Sequence, residues 1–314
     1  MLVIQDAASG ECLDDHHAVT IGVFDGVHRG HRYVLEQTRR LADHDGARLA
    51  VVTFDPHPAR VIRPDSAPKI LTGIEHRLEL LKEFGVETTV VIHFDEHQAQ
   101  ERARAFVDRV IVDCLKATSV AVGNDFHFGY RREGTTELLG EIGAERGFDV
   151  QPLDQVLQPG QGSDPVSSTA IRRAIASGDV EVAAAMLGRL HQVRGEVRAG
   201  DQRGRVIGFP TANIDVPPER AIPADGVYAA WYVFADRSRH PAAVNVGKRP
   251  TFYEDADRSL VEAHLIDFDG DLYGTQGKVE FVKMLRTEQR FDGIEALKAQ
   301  LETDVNEAAT LLRG

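Results

Sequence analysis

Two histidines three residues apart, His28 and His31, close the string Gly22-Val23-Phe24-Asp25-Gly26-Val27-His28-Arg29-Gly30-His31. On the first turn of a helix, residues at that spacing project from one face, so two imidazoles can donate to a single polyphosphate. Glycines let the backbone turn tightly and come close to a phosphate. A helix start adds unpaired N–H groups and the positive end of the helix dipole. The chemistry such a turn suits is electrostatic stabilisation of an in-line attack on an α-phosphate, with pyrophosphate leaving and no protein nucleophile. For His-x-Gly-His alone, a merely polar loop is an equally good reading.

A second chemical string runs Gly200-Asp201-Gln202-Arg203-Gly204-Arg205-Val206-Ile207-Gly208-Phe209-Pro210-Thr211-Ala212-Asn213. Three glycines at spacing four make a loop that can fold over phosphates. Thr211 and Asn213, one residue apart in extended chain, point the same way. Their neutral oxygens suit a Mg²⁺ ion that keeps most of its ligands as water and nucleotide phosphate. No G-x-x-x-x-G-K-[ST] string is present, which excludes a P-loop kinase. His93-Phe94-Asp95-Glu96-His97 has metal-ligand residue types, but it spans a strand end and loop without a third ligand nearby and reads as solvated loop. His16 and His17 look unremarkable.

The elements that must position these residues differ between the two halves. Strand-like runs at Ala18–Phe24, Ala47–Phe54, Thr88–Phe94 and Ser119–Gly123 alternate with helical patterns at Arg29–His44, Ile74–Phe84, Gln98–Leu115 and Thr135–Arg146. Repeated βα units imply a parallel sheet with helices on both faces, whose ligands bind beyond the carboxyl ends of the strands. Ser167–Ser168 can cap a short helix to Ser177, and Asp179 a second to Leu187. After Gly188 come short β-rich runs at Gln192–Val197, Val227–Phe234, Ala243–Val246, Leu260–Asp267 and Val279–Leu285, then a helix, Ile294–Leu312. The expected fold is α/β plus β: a Rossmann-like N-terminal domain (1–187) and a small antiparallel β-barrel domain (188–314) closed by the last helix.

Composition bounds the partners. The chain has 314 residues, 42% of them apolar, enough for two cores. With 49 acids against 36 bases its net charge is −13, which repels nucleic acid and anionic membrane, so a phosphate site must be a local pocket. Two cysteines, Cys12 and Cys114, make neither a disulfide framework nor a zinc site and fit a reducing cytoplasm. No signal-peptide pattern and no apolar run of membrane-spanning length is expected.

With its context, the first string resembles the signature of the HxGH nucleotidyltransferases, and more closely the adenylyltransferase module of bifunctional bacterial riboflavin kinase/FAD synthetases. Thr53-Phe54-Asp55-Pro56-His57-Pro58, Gly123-Asn124-Asp125-Phe126-His127-Phe128-Gly129 and Ser167-Ser168-Thr169-Ala170-Ile171-Arg172 match that family in order. The string ending in Pro210-Thr211-Ala212-Asn213 resembles the flavokinase signature, as do Asn245 to Phe252, Val261 to His264, Asp271 to Gly274, and Leu285-Arg286 with Phe291. The resemblance implies catalytic roles for His28 and His31, with ATP held by Gly22, Phe24, Asp25, Gly30, Ser167, Ser168, Thr169 and Arg172, and flavin by His57, Asp125 and Phe128. In the kinase half it implies ATP contacts from Gly204, Gly208, Pro210, Thr211 and Asn213, with Mg²⁺ on Thr211 and Asn213. It also implies Glu262 as the base and Arg286 at the flavin or its phosphate. Riboflavin, FMN and ATP are the implied substrates; assembly into a homo-oligomer is left open. One rival is an enzyme with a single live site. Another is a barrel that binds nucleic acid or protein, attached to a transferase for a different substrate.

Overall fold

The computed structural model describes residues 1–7, 13–157, 165–199, 207–248 and 259–313. Cys12, Gly200, Gly204 and residues 250–252 lie outside them. The chain divides into two compact units, Met1–Ser168 and Thr169–Gly314.

In the first unit the strands are β1 (Leu2–Gln5), β2 (His17–Ile21), β3 (Arg48–Asp55), β4 (Thr88–His93), β5 (Ala117–Gly123) and β6 (Asp149–Leu153). The helices are α1 (Arg29–Asp45), α2 (Pro58–Ile62), α3 (Ile74–Phe84), α4 (Ala103–Phe106) and α5 (Thr136–Arg146). All strand neighbours run parallel, in the order β1-β4-β3-β2-β5-β6. The central strands are apolar on both faces because helices cover both; all five residues of β2 are buried. From β2 the chain winds outward through β3 and β4, then returns to place β5 on the other side of β2. That reversal opens a crevice at the carboxyl ends of β2 and β5, and both the His28–His31 string and the Asp125 string leave the sheet there.

The helix expected over Gln98–Leu115 is instead three pieces: a 3₁₀ turn at Gln98–Gln100, then α4, which continues as a π-helix over Val107–Cys114. Arg102 is extended and ends the first turn. The Glu133 carboxylate accepts the Ala103 N–H, so the helix restarts there. The edge strands β1 and β6 were not apparent in the sequence. Each buries little of its length, and Pro152 weakens the β6 pattern.

The second unit opens with α6 (Ser168–Ala176) and α7 (Val180–Leu187). Strands β7 (His191–Arg198), β8 (Ala212–Asp215), β9 (Gly226–Val233), β10 (Arg239–Lys248), β11 (Ser259–Leu265) and β12 (Gln276–Thr287) close into an antiparallel barrel in the order β10-β11-β8-β7-β12-β9. Val193, Ile214, Tyr228, Val244, Val261 and Phe281 fill it. The final helix, α8 (Ile294–Arg313), lays Ala308 and Leu312 over Ala229 and Ala243 on the barrel's outer side. The α/β-plus-barrel architecture expected from the sequence is the one present.

His17 turns out to be a core anchor. It is fully buried, donates from Nδ1 to the Leu115 carbonyl (2.8 Å) and receives the Thr88 hydroxyl at Nε2 (3.2 Å). Burial pulls its pKa below the ordinary 6.5. The unfolded chain therefore takes up a proton that the folded chain refuses. Stability is expected to fall as the pH drops through 6.5, and His17→Leu should flatten that slope in melting temperature against pH.

Packing tolerance also differs by position. A Cβ added at Gly195 in β7 would lie 2.3 Å from the Asp215 carbonyl oxygen, whereas one at Gly140 in α5 meets nothing within 4 Å. Gly195→Ala should destabilise the barrel by about 1–3 kcal/mol. Gly140→Ala should stabilise its unit by about 0.5–1 kcal/mol. Both are read from denaturant midpoints.

Candidate active sites

After β2 the chain turns sharply. The Gly22 N–H donates to Val52 O (3.0 Å). Phe24 (φ +52°) and Val27 (φ +38°) then take left-handed conformations that L-residues avoid, flanking Gly26 (φ +87°). Both side chains are buried in an apolar cluster with Leu35, Leu49, Val51 and Leu81, which offsets the strain. Asp25, 2% exposed, holds the turn. Its Oδ1 accepts the Leu71 and Thr72 N–H groups, both at 2.9 Å, and the Gly26 N–H donates to the Thr72 hydroxyl oxygen at 3.0 Å. The Asp25 carbonyl accepts the Ser168 hydroxyl (2.8 Å). The carboxylate expected at ATP accepts these backbone amides.

His28 is the N-cap of α1. Its Nδ1 accepts the His31 N–H (3.3 Å), and the His31 Nδ1 accepts the His28 N–H (3.4 Å), a capping box built from two imidazoles. The rings stack 3.6 Å apart. A backbone N–H can only donate, so both Nδ1 atoms are acceptors and each ring carries its hydrogen on Nε2. A Cβ at Gly30 would meet the His28 ring at 3.1 Å and the Val166 carbonyl at 3.2 Å, so a side chain there would crowd the ring.

Around the crevice the carboxyl ends of three strands each supply a half-buried aromatic: Phe54 on β3, Phe94 after β4 and Phe126 after β5. Phe54 meets Phe94 edge to face at 5.9 Å, and Phe126 stacks on Phe128 at 5.3 Å. Phe128 and Phe106 are buried beneath. Asp125 is exposed and accepts Gln155 Nε2 (3.0 Å). His57 caps α2, its Nδ1 accepting the Ala59 N–H. Sequence reasoning missed Arg77. It is fully buried in α3, donates to Thr53 Oγ1 (3.1 Å) and Phe54 O (2.9 Å), and Thr53 in turn donates to Val23 O. Only a charge amid the apolar positions of that helix could have signalled it. Thr169 and Arg172 lie on α6 within the second unit.

In the barrel, one row of cross-strand partners runs Asn213–Glu262–Asn245–Val227–Arg286 over β8, β11, β10, β9 and β12. Directly opposed residues share a face. The flanking Ala212, Ile214, Val261 and Ala263 point into the core, so Asn213 and Glu262 face outward, half-buried. Beside them Pro210, Thr211 and Asn213 line a cleft of about 440 Å³, shared with Leu265, Phe268 and Tyr273. His264 fixes its rim by donating to the Pro210 carbonyl (2.8 Å). Gly208 is left-handed (φ +94°) and exposed.

The FAD synthetase family matches residues 12–170, and the riboflavin kinase family matches residues 187–312. The bifunctional riboflavin kinase/FMN adenylyltransferase of Escherichia coli K12 is 38% identical over 91% of this chain and 90% of its own length. The chain belongs to the bifunctional riboflavin kinase/FMN adenylyltransferase family. The Pseudomonas fluorescens member is also 38% identical, over 93% of this chain and 92% of its own. A crystal structure named as a macrolide-efflux protein from Streptococcus pneumoniae superposes with a TM-score of 0.86 at 29% identity, covering 98% of this chain and 99% of that one. Among the described residues here, no helix is long and apolar enough to cross a membrane.

Removing the Asp25 carboxylate strands two buried amide donors. Asp25→Ala is expected to cost the first unit about 2–4 kcal/mol, read as an earlier unfolding transition of that unit while the barrel transition stays put.

Proposed function

We propose that the chain builds FAD from riboflavin in two ATP-dependent transfers, phosphorylation in the barrel half and adenylylation in the α/β half. The observation that carries this reading is the succession of two family matches, 12–170 and 187–312, on one chain. The functional boundary is placed near residue 188, giving 1–187 to the adenylyltransferase and 188–314 to the kinase, because the kinase match begins at 187.

In the kinase, Glu262 takes the proton of the riboflavin 5′-hydroxyl, whose oxygen attacks the γ-phosphorus of ATP; FMN forms and ADP leaves. Gly204, Gly208, Pro210, Thr211 and Asn213 hold the nucleotide, and Arg286 faces the flavin. Thr211 and Asn213 offer neutral hard oxygens, with the Glu262 carboxylate across the β8–β11 pair from Asn213. That donor set fits Mg²⁺, and these two residues would hold it. The ion, when bound, neutralises phosphate charge.

In the adenylyltransferase, an FMN phosphate oxygen attacks the α-phosphorus of a second ATP and pyrophosphate leaves. The Nε2–H groups of His28 and His31 donate to the phosphate oxygens where charge builds. Gly22, Phe24 and Gly30 shape the loop, Ser167 precedes α6 and Ser168 and Thr169 begin it, and the family motif adds Arg172. Asp25 serves by holding the turn. The flavin lies against the aromatic ends of the sheet, with Asp125 and His57 at its edge and Phe128 supporting Phe126 from beneath. A cytoplasmic setting suits the buried thiol of Cys114, which is in no disulfide.

Purified protein given riboflavin, ATP and Mg²⁺ should yield FMN first and FAD after it, followed by chromatography. Glu262→Gln should lower FMN formation about 10²–10⁴-fold while supplied FMN still becomes FAD. His31→Ala should do the reverse. Loss of both activities in either variant contradicts separate sites, and FMN as the only product leaves the α/β half without this activity.

A further inference from the structure

The stripe that α8 buries against the barrel is Asp304, Ala308 and Leu312, at spacing four. Two of these are the small or apolar residues such a stripe needs. The third is a carboxylate 2% exposed, where leucine would extend the apolar seam. A charge in that place is costly unless it is fully paired, and here it is. Asp304 Oδ1 accepts Arg286 Nε (3.0 Å) and Gln300 Nε2 (2.9 Å), and Oδ2 accepts Arg286 Nη2 (2.8 Å). The Arg286 side chain is 15% exposed. It gives one further N–H to Thr287 O (3.1 Å) and rests 5.6 Å from the centroid of the Phe291 ring. Of the five N–H bonds of a guanidinium, three are used among the described residues and two remain.

We infer that Asp304 is a positioning residue of the kinase: from α8 it clamps the fork of Arg286 so that its remaining N–H groups and its flat face are fixed for the flavin. This rests on the assignment of Arg286 to the flavin. The register supports it. Arg286 shares a cross-strand row with Glu262, three strand steps away through Asn245 and Val227. At about 4.8 Å per step this is roughly 14 Å along the outer face, a span commensurate with a three-ring heterocycle and its five-carbon chain. A base at one end of the row and a locked guanidinium at the other would fix both ends of one substrate. Arginine left unclamped has four rotatable bonds to order on binding. Clamped, its fork is set before the substrate arrives.

The test is steady-state kinase kinetics on the full chain, with FMN adenylylation by the same preparation as the internal reference. Arg286→Lys should raise the riboflavin KM about tenfold, and Asp304→Asn should match it, with kcat changed less than KM and adenylylation unaltered. The double variant should be no worse than Arg286→Lys, because both changes remove one unit. Asp304→Glu should recover part of the loss. If Asp304→Asn lowers the melting temperature but leaves the riboflavin KM unchanged while Arg286→Lys raises it, the bridge is only structural and the inference fails with the Arg286 assignment intact. An unchanged KM in Arg286→Lys removes that assignment and the inference with it. Should Asp304→Asn not fold, the apolar pair Asp304→Leu with Arg286→Met restores packing without the fork. Its KM is expected to rise as in Arg286→Lys, and a wild-type KM overturns the proposal.

Discussion

Between β2 and α1 the chain must reverse direction and still present two imidazoles on one side, and it does so with Phe24 and Val27 in left-handed conformations. Such residues cost roughly 1–3 kcal/mol each and persist only where their surroundings over-determine them. The over-determination here comes from Asp25, whose carboxylate gathers the Leu71 and Thr72 amides while its carbonyl takes the Ser168 hydroxyl. Because the turn is fixed, α1 starts where it does. Because α1 starts at His28, the two Nδ1 atoms can cap it, and each ring carries its hydrogen on Nε2. Arg77 does the corresponding task one strand over, tying the end of β3 to the same turn through Thr53.

The barrel solves its problem differently. Its candidate residues come from the ladder itself rather than from a strained turn. Asn213, Glu262, Asn245 and Arg286 occupy one level of the sheet on five adjoining strands, with Val227 between. Slipping any strand by one residue would turn its member of the row into the core, so the packing of Tyr228, Val244, Val261 and Phe281 inside also maintains the arrangement outside. The α8 helix adds a polar contact, from Asp304 to Arg286, that reaches this row from beyond the ladder.

Most of this was legible wherever residue type and local spacing decide the outcome. The βα alternation, the barrel after Gly188, the closing helix and the His28–His31 pair all follow from short-range pattern. What was not legible depends on partners far away in sequence. Asp25 has the chemistry of a ligand, and nothing near it in sequence announces that its carboxylate also gathers the Leu71 and Thr72 amides. Phe126 and Phe128 are equivalent in a string but not in space, since Phe128 packs beneath Phe126 and against Phe106. His17 looks idle beside His16, yet its strand is central and its ring bridges β4 and the end of the π-helix. The Asp304 partnership is likewise hidden, because nothing near it in sequence announces Arg286.

The same absence of a large positive field shapes both halves. At a net charge of −13 the molecule as a whole repels the polyphosphates it handles, so attraction must come from groups within hydrogen-bond reach. Neutral donors suit this. In the proposed reading, an Nε2–H whose ring is held by a backbone-capped Nδ1 would be aimed before the substrate arrives, with no reorganisation needed as charge develops on the phosphate. A lysine in its place would carry full charge but also a flexible stem to be ordered. The capping box makes one set of hydrogen bonds start the helix and fix the tautomer of both rings. This explains why the glycine between the two histidines is closed in by the His28 ring on one side and the Val166 carbonyl on the other.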